Sequence, residues 1–234
     1  MGNWLADKIK AWERSKRNSY SHDISDPAER RKSKQYVDWH DHGILRYRWH
    51  NFGEIATGVY RSNQPNHERF EAYAKMGVRT VLNLRGANNW AFYKFEAESC
   101  AALGMTLVDL PMVARSAPSR DVLLKLMALF ETLEHPLLLH CKSGADRTGT
   151  AAAVYRLHIL KQPVAQAKKE LSLRYVHLLF SKTGVQDHVI ALYEARLAEG
   201  DISFHDWVAN EYDRDAAQRS FDNRKSRFRV GPNA

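Results

Sequence analysis

The chain has 234 residues, of which 44% are hydrophobic and 11% aromatic, and this length suits one domain with terminal extensions. Such a composition can bury a core, which excludes an intrinsically disordered protein. No stretch reaches the roughly 18 apolar residues of a membrane-spanning helix, and residues 1–10 lack the apolar core of a signal peptide. Only two cysteines, Cys100 and Cys141, are present, which excludes a disulfide scaffold and fits a reducing compartment. We therefore expect a cytoplasmic protein without a signal peptide.

The charge balance favours an anionic partner. Lysine and arginine number 35 against 27 aspartate and glutamate residues, a net charge of +8. A nucleic acid, a lipid surface or a phosphorylated substrate would each complement this charge. Charge alone does not choose among the three.

Two extensions flank the strongly patterned part of the chain. Residues 1–43 form a basic N-terminal arm with apolar residues at helical spacing: Trp4, Leu5, Ile9 and Trp12. Such a helix would either pack on the main domain or make a peripheral membrane contact, because tryptophan beside basic residues suits a lipid headgroup layer. Residues 201–234 are polar and predict a solvated C-terminal tail. The main domain is therefore predicted to span residues 44–200.

Strand and helix patterns alternate along the main domain. Four apolar or β-branched runs predict strands, at Ile55–Arg61, Val78–Leu84, Met105–Met112 and Leu137–His140. Apolar residues at helical spacing predict helices at residues 66–76, Trp90–Leu103, Arg120–Glu134, Arg147–Leu160 and 185–197. Gly77 and Gly104 are placed to end the first two helices, because glycine tolerates the left-handed conformation. The alternation predicts an α/β fold with a central, mostly parallel sheet of four to five strands and helices on both faces.

One segment carries candidate chemistry. The strand at Leu137–His140 is joined to the next helix by the sequence Cys-Lys-Ser-Gly-Ala-Asp-Arg-Thr-Gly, residues 141–149. In open α/β sheets, ligands bind outside the carboxyl ends of the strands. Five residues separate Cys141 from Arg147, and a loop of this length can turn its backbone N–H groups toward one anion. The helix dipole and the planar fork of Arg147 would strengthen binding of a phosphate.

The same field would activate Cys141. A thiol at a helix N-terminus beside arginine can have its pKa lowered from about 8.5 to between about 3.5 and 7.5, which produces a nucleophilic thiolate. Gly144 allows the loop to turn, and the Thr148 hydroxyl can donate to the sulfur. Covalent phosphoryl transfer through cysteine needs these parts together. Cys100, without such neighbours, is expected to be a buried apolar residue, and the neighbouring histidines lack the ligands for a metal site: His40, His42 and His50.

The His-Cys-x5-Arg-Thr-Gly loop resembles that of the cysteine-dependent protein tyrosine and dual-specificity phosphatases. Residues 58–65 and 77–85 resemble bacterial members of the dual-specificity-like branch, and the resemblance covers about residues 53–198. It implies a phosphatase-like fold for the main domain, Cys141 as the nucleophile and Arg147 as the phosphate clamp. It implies no metal and no organic cofactor. The implied phosphate-binding residues are Lys142, Ser143, Gly144, Ala145, Asp146, Arg147 and Thr148.

The sequence departs from the family at the general acid. Such enzymes usually keep an aspartate on the movable loop after the third predicted strand, but residues 113–119 contain no carboxylate. Asp109, within the strand, is one alternative. Asp146 is the other, since it resembles the loop aspartate proposed as the acid in bacterial tyrosine/lipid phosphatases and myotubularin-like phosphatases. Asp146 could instead be structural and pair with a neighbouring arginine, such as Arg85 or Arg115.

Two functions from different classes remain. The first is a phosphomonoester hydrolase that acts through a phosphocysteine intermediate. Its substrate would be the phosphotyrosine of a phosphorylated protein, or an anionic inositol or phospholipid phosphate. Lys142 and the basic charge favour the inositol or lipid class, and we expect no nucleic acid partner. The second is a catalytically silent phosphate-binding module. A rhodanese-like sulfurtransferase also uses a loop cysteine, but the Arg-Thr-Gly sequence after the loop favours phosphate.

Overall fold

The computed structural model describes Lys8 and residues 22–229, with side chains up to residue 224. Within this part, five strands form one sheet in the order β1-β2-β5-β3-β4. The strands are β1 (Gly53–Ala56), β2 (Val59–Asn63), β3 (Thr80–Asn83), β4 (Thr106–Asp109) and β5 (Leu137–Cys141). Only the β1–β2 pair is antiparallel among these strands. The predicted α/β fold with a mostly parallel sheet is confirmed.

Helices cover both faces of the sheet. They are α1 (Pro27–Gln35), α2 (Gly43–Arg46), α3 (His67–Lys75), α4 (Ala91–Ala102), α5 (Arg120–Thr132), α6 (Asp146–His158), α7 (Val164–Lys168), α8 (Val185–Leu197), α9 (Phe204–Asn210) and α10 (Arg214–Arg229). Strand β5 lies at the centre and is buried on both faces. Its Leu138 belongs to the smaller core under α3 and α4, whereas Leu137 and Leu139 belong to the larger core under α5, α6 and α8. This two-sided burial explains its continuous apolar sequence.

The first predicted strand is wrong as a single element. Residues Ile55–Arg61 contain a hairpin, in which β1 and β2 are joined by a turn at Thr57 and Gly58. Gly58 has a φ of +74°, the left-handed conformation that a tight hairpin turn requires. Ile55 and Val59 both face the core, so the apolar pattern alone conceals the turn.

The C-terminal part of the chain differs from the predicted solvated tail. Helices α9 and α10, with the turn between them, complete the larger core with six residues: Phe204, Trp207, Val208, Tyr212, Ala217 and Phe221. The Tyr212 hydroxyl donates to the Pro118 carbonyl at 2.7 Å, which ties the end of α9 to the start of α5. Scattered aromatic residues in a polar sequence therefore serve as packing anchors.

The N-terminal segment packs on α4 where it is described. Arg30 of α1 donates to Glu98 of α4, and Tyr36 is only 3% exposed. The predicted apolar face at Trp4–Trp12 lies outside the described residues, so both of its interpretations stay predictions. In the described part of the chain, no helix is long and apolar enough to cross a membrane.

The sheet register sets the place of the loop that follows β5. Cys141 pairs with Asn63 of β2, and His140 pairs with Asn83 of β3. The loop therefore leaves the sheet between strands β2 and β3. Helix α6 starts after the loop, and Gly149 in its first turn lets the chain at Glu170 pack closely against it, since an added Cβ would lie 2.8 Å from the Glu170 carbonyl oxygen. The carboxyl end of β5 is thus the position of the candidate site.

Candidate active site

The segment that joins β5 to α6 runs from the last residue of β5 to the first turn of α6, residues 141–147, and we call it the loop; it turns sharply at Gly144. This residue has a φ of +71°, and an added Cβ would lie 2.7 Å from the backbone of Ser62 and Asn63. Any side chain would therefore push the loop away from β2, and only glycine lets it curl at this point.

Three successive loop carbonyls are held on the outside of the curl. The oxygens of residues 142–144 accept hydrogen bonds in turn from the Gln64 backbone N–H at 3.3 Å, Asn51 Nδ2 at 2.9 Å and Arg61 Nη2 at 2.7 Å. Across a trans peptide bond, the N–H of the next residue points the opposite way. The N–H groups of residues 143 and 144 are therefore turned toward the inside of the loop, which makes a cradle for an anion, while the Ala145 N–H donates to Ser143 Oγ at 3.4 Å.

Cys141 lies at the base of this cradle and is 2% exposed. Burial raises the pKa of its thiol, but the charge of Arg147, the Thr148 hydroxyl and the backbone N–H groups of Thr148 and Gly144 outweigh burial and lower it below the usual value. The buried Thr148 hydroxyl has no oxygen or nitrogen partner among the described residues, so it is available to the sulfur. The site therefore favours a thiolate.

Arg147 makes few hydrogen bonds to the described part of the chain. Its Nη1 makes one long hydrogen bond, 3.5 Å, to the Leu84 carbonyl, and its buried Nε has no partner within the described residues. A guanidinium whose N–H groups are unsatisfied at the rim of an anion cradle can bind two phosphate oxygens through its fork. The structure thus brings the predicted nucleophile, clamp and loop residues to one place.

A buried ion pair supports the loop from below, and we call it the Arg61 support. Arg61 is fully buried, and its Nη1 donates to Glu170 Oε2 at 2.5 Å and to the Glu170 carbonyl at 2.8 Å. The ring of Tyr175 lies 3.5 Å from the guanidinium carbon, and Arg156 Nε donates to Glu170 Oε1 at 2.7 Å. Because the other end of the guanidinium holds the Gly144 carbonyl, this network shapes the cradle.

A second charged cluster lies beside the loop and includes Asp41, from the predicted N-terminal arm. The buried Asp41 carboxylate binds both Nη atoms of Arg85 at 2.9 Å, Arg46 Nη2 at 2.9 Å and Lys142 Nζ at 3.2 Å. Burial raises the pKa of Asp41, but these cations, Arg85 foremost, outweigh it and lower the pKa to about 2. Asp41 is therefore a permanent anion that ties the N-terminal segment to the loop.

The two predicted candidates for the general acid lie in different surroundings. Asp109 accepts a hydrogen bond on each of its carboxylate oxygens. Its Oδ1 accepts a hydrogen bond from Asn83 Nδ2 at 2.8 Å, and its Oδ2 accepts one from the Tyr93 hydroxyl at 2.7 Å. Burial and this contact with Asp109 raise the pKa of Tyr93 to about 12, so the proton stays on the tyrosine. Both contacts are typical of a structural carboxylate.

Asp146 is the first residue of α6 and pairs with a histidine. Its Oδ1 lies 2.7 Å from Nδ1 of His177, and the other ring nitrogen of His177 contacts a carboxylate oxygen of Asp187 on α8. Among the described residues neither of the expected arginines, Arg85 or Arg115, forms an ion pair with Asp146, and Arg85 is bound to Asp41. Burial lowers the pKa of His177, but the two carboxylates outweigh it and raise the pKa to about 9. Asp146 therefore faces an imidazolium at neutral pH.

The remaining predicted residues take no part in this site. Cys100 is 1% exposed under α3 and α4, and burial followed by the charges of Glu96 and Asp109 raises its pKa to about 12. Among the described residues, no group of three or more His, Cys, Asp or Glu side chains is placed to hold a metal ion.

Sequence reasoning missed the side chains that hold the loop: Asn51, Arg61, Glu170, Asp41, His177 and Asp187. Arg61 does stand in a segment that resembles the phosphatases, but nothing in that segment indicates a contact with Gly144. The others are ordinary polar residues, each far along the chain from the loop residue that it holds or supports. Only their burial in the fold distinguishes them.

Comparison with known proteins identifies the family of the chain. The family described as "DSP-PTPase phosphatase fused to NAD+ Kinase" matches residues 50–186, more than half of the chain. Inositol diphosphatase DSP3 of Arabidopsis thaliana is 32% identical over 118 residues, which cover 45% of this chain and 53% of that protein. The dual specificity protein phosphatase TpbA of Pseudomonas aeruginosa strain UCBPP-PA14 is 31% identical over 111 residues, 46% of each chain. The chain thus spans about half the length of these curated relatives.

Solved structures show the same fold. The crystal structure of P. aeruginosa TpbA has a TM-score of 0.51 at 21% identity and covers 65% of this chain and 92% of its own. The active form of Tk-PTP has a TM-score of 0.50 at 19% identity and covers 62% of this chain and 97% of its own. The resemblance seen in the loop sequence is confirmed: the chain belongs to the DSP-PTPase phosphatase family that matches residues 50–186.

Proposed function

We propose that the chain hydrolyses phosphate monoesters through a phosphocysteine intermediate. The observation that carries this proposal is a buried thiol with a lowered pKa, Cys141, at the base of a cradle of inward N–H groups. A thiolate is the nucleophilic form of cysteine, and the cradle binds the oxygens of the phosphoryl group that it attacks. A protein that only binds phosphate would have no need of an activated thiol.

The reaction has two steps. In the first, the Cys141 thiolate attacks phosphorus, the bond to the leaving oxygen breaks, and that oxygen takes up a proton. In the second, water attacks the phosphocysteine, the phosphorus–sulfur bond breaks, and inorganic phosphate leaves as the thiolate returns. Arg147 and the loop N–H groups hold the three other phosphoryl oxygens in both steps. The Thr148 hydroxyl stabilises the departing thiolate.

The proposed substrate is an anionic inositol or lipid phosphate, with phosphotyrosine as the alternative. Three cations, Arg46, Arg85 and Lys142, surround one carboxylate, Asp41, beside the loop, which leaves an excess of positive charge there. The Lys142 side chain is 35% exposed and can reach a ligand. A substrate with more than one phosphate would gain from this charge. The names of the two kinds of relatives, inositol diphosphatase and dual specificity protein phosphatase, agree with these two substrate classes.

A reducing location also belongs to the proposal. A phosphocysteine mechanism requires the free thiol of Cys141, which favours the cytoplasm. Peripheral membrane contact through residues 1–43 would bring the site to a lipid phosphate, and it is part of the proposal only for that substrate class.

Replacement of the nucleophile tests the mechanism. Cys141→Ser should abolish turnover of aryl phosphates, inositol phosphates and phosphotyrosine peptides, all assayed with a metal chelator, while calorimetry still detects phosphate binding by the cradle. Arg147→Lys should also remove most activity, because an ammonium cannot replace the fork. Cys100→Ser is the matched control and should keep wild-type rates.

Three results would contradict the proposal. Substantial turnover by the Cys141→Ser protein would exclude a phosphocysteine, and a strict requirement for a divalent metal would point to another mechanism. Phosphate binding by the wild type without turnover of any substrate in the panel would favour a silent phosphate-binding module.

A further inference from the structure

Asp146, His177 and Asp187 form a hydrogen-bonded unit around a buried imidazole ring, which we call the His177 bridge. His177, between α7 and α8, is fully buried, and its two ring nitrogens contact Asp146 and Asp187. The two carboxylates are each about one fifth exposed, at 21% and 19%. Asp146 is also the residue directly before the phosphate clamp Arg147. The bridge therefore joins α8 to the phosphate-binding loop.

The geometry requires an extra proton in this bridge. A neutral imidazole has one N–H and one lone pair, but here both nitrogens face carboxylate oxygens. Either the ring is an imidazolium or one carboxyl is protonated, and the number of protons is the same in both cases. These two carboxylates are the titratable groups that act on the ring, and they raise the pKa of His177 to about 9 despite its burial. The extra proton is therefore held throughout the neutral range.

The first step of hydrolysis needs such a proton, and the other candidates cannot supply it. The loop at residues 113–119 contains no carboxylate. Asp109 accepts hydrogen bonds on both oxygens, and Asp41 is an anion bound by three cations. Asp146 differs from both, because its Oδ1 lies 2.7 Å from Nδ1 of His177 and so contacts the extra proton of the bridge.

We propose that His177 is a positioning residue that stores the proton of the leaving group and delivers it through Asp146. The inference rests on the proposed phosphatase function. As the phosphorus–oxygen bond breaks, the leaving oxygen takes a proton from Asp146, and Asp146 receives the Nδ1 proton of His177. His177 becomes neutral and keeps the proton on Nε2, and this N–H donates a hydrogen bond to the Asp187 carboxylate. When water attacks the phosphocysteine, its proton returns through Asp146 to Nδ1, so the protons balance over the cycle.

The test compares two substrates over a pH range. An alkyl phosphate needs its leaving oxygen protonated, whereas p-nitrophenyl phosphate does not. The wild type should lose kcat/KM for the alkyl phosphate as pH rises through about 9, because the bridge loses its proton, and the aryl phosphate should not show this loss. His177→Gln should lower alkyl phosphate turnover by about 10²–10⁴-fold and abolish this basic limb, while aryl phosphate turnover falls far less.

A second variant and a control distinguish the loss of the bridge from a general loss of folding. Asp187→Asn removes one carboxylate and should move the basic limb to lower pH, because less charge then stabilises the imidazolium. His188→Gln replaces a histidine of α8 that contacts Ser220 instead of the site, and should leave both pH profiles unchanged.

Two outcomes would overturn the inference. If His177→Gln and Asp187→Asn slow both substrates alike, the bridge is only structural. If Asp109→Asn shows the loss that depends on the leaving group, the proton comes from β4. In both cases Cys141 would still turn over aryl phosphate, whereas activity of the Cys141→Ser protein would remove the phosphatase proposal itself.

Discussion

The Arg61 support and the His177 bridge both hold the loop at residues 141–147 with buried charge, but they differ in the cation at their centre. Arg61 is a permanent cation that bonds to a backbone carbonyl of the loop, at Gly144. His177 is a cation only while it is protonated, and it bonds to a side-chain carboxylate of the loop, Asp146. The first network therefore shapes the cradle without exchanging a proton near neutral pH, and the second can exchange a proton with the loop.

Because of this difference, the Arg61 support should affect binding of the phosphoryl group, and the His177 bridge should affect proton transfer to the leaving group. The support sets the direction of the N–H groups that every phosphate monoester would use. The bridge sets the protonation of one carboxylate, which matters only for a leaving group that needs a proton. Variants of the two networks should therefore have different kinetic signatures, and four predictions test this contrast.

The largest effect is expected at the Arg61 support. Arg61→Met leaves the Glu170 carboxylate buried beside a single remaining cation, Arg156, which should cost about 3–5 kcal/mol in the free energy of unfolding, measured by urea denaturation. Aryl and alkyl phosphates should be slowed alike, by roughly 10²-fold, because the cradle is misplaced for both. Arg196→Met, in an exposed pair with Glu211, is the control and should leave stability and both rates nearly unchanged. A loss that depended on the leaving group would contradict the assigned role.

The His177 bridge should make stability depend on alkaline pH. The pKa of His177 is raised to about 9 in the folded state, from an ordinary value of 6.5. Its stabilisation is therefore complete below about pH 6.5 and is lost as pH rises through about 9, a change on the order of 3 kcal/mol. Thermal unfolding from pH 6 to pH 10 should show this fall in the wild type and not in His177→Gln. Equal pH curves would mean that the ring is not protonated in the folded state.

The Asp41 cluster should depend on pH in the opposite sense. Its pKa is lowered to about 2, so its stabilisation is complete above the usual value of 3.8 and is lost as pH falls toward 2. Asp41→Asn should cost about 2 kcal/mol at neutral pH, because Arg46 and Arg85 lose their counter-charge, and should weaken the acid dependence seen by urea denaturation. An unchanged stability would show that the N-terminal segment is not fastened through this carboxylate.

The smallest effect is expected from a helix cap remote from both networks. Ser203 caps α9 by accepting the Asp206 N–H at 3.0 Å, so Ser203→Ala should cost about 1 kcal/mol. Because α9 packs on the core and not on the loop, both substrates and both pH profiles should stay at wild-type values. A change in kcat/KM here would show that general loss of stability, rather than loss of a network, alters the kinetics.

The loop itself could be predicted from the sequence because its parts are neighbours in the chain. An apolar strand, a cysteine, a glycine, an arginine and a helix start within residues 137–149 leave few ways to fold. The alternation of strands and helices likewise indicated the sheet, although the turn at Gly58 was hidden within one apolar run. The C-terminal helices were missed because their core residues are sparse in a polar sequence.

The acid could not be resolved from the sequence, because protonation depends on distant partners. Asp146 looked equally suited to catalysis and to an arginine pair, and only the fold placed His177 against it. The sequence by itself determined the mostly parallel sheet apart from its first hairpin, the candidate nucleophile and the candidate phosphate-binding loop, since local pattern and spacing specify them. Only the tertiary structure decided which charges stand behind that loop, because Arg61, Asp41 and His177 acquire their roles through burial against residues far along the chain.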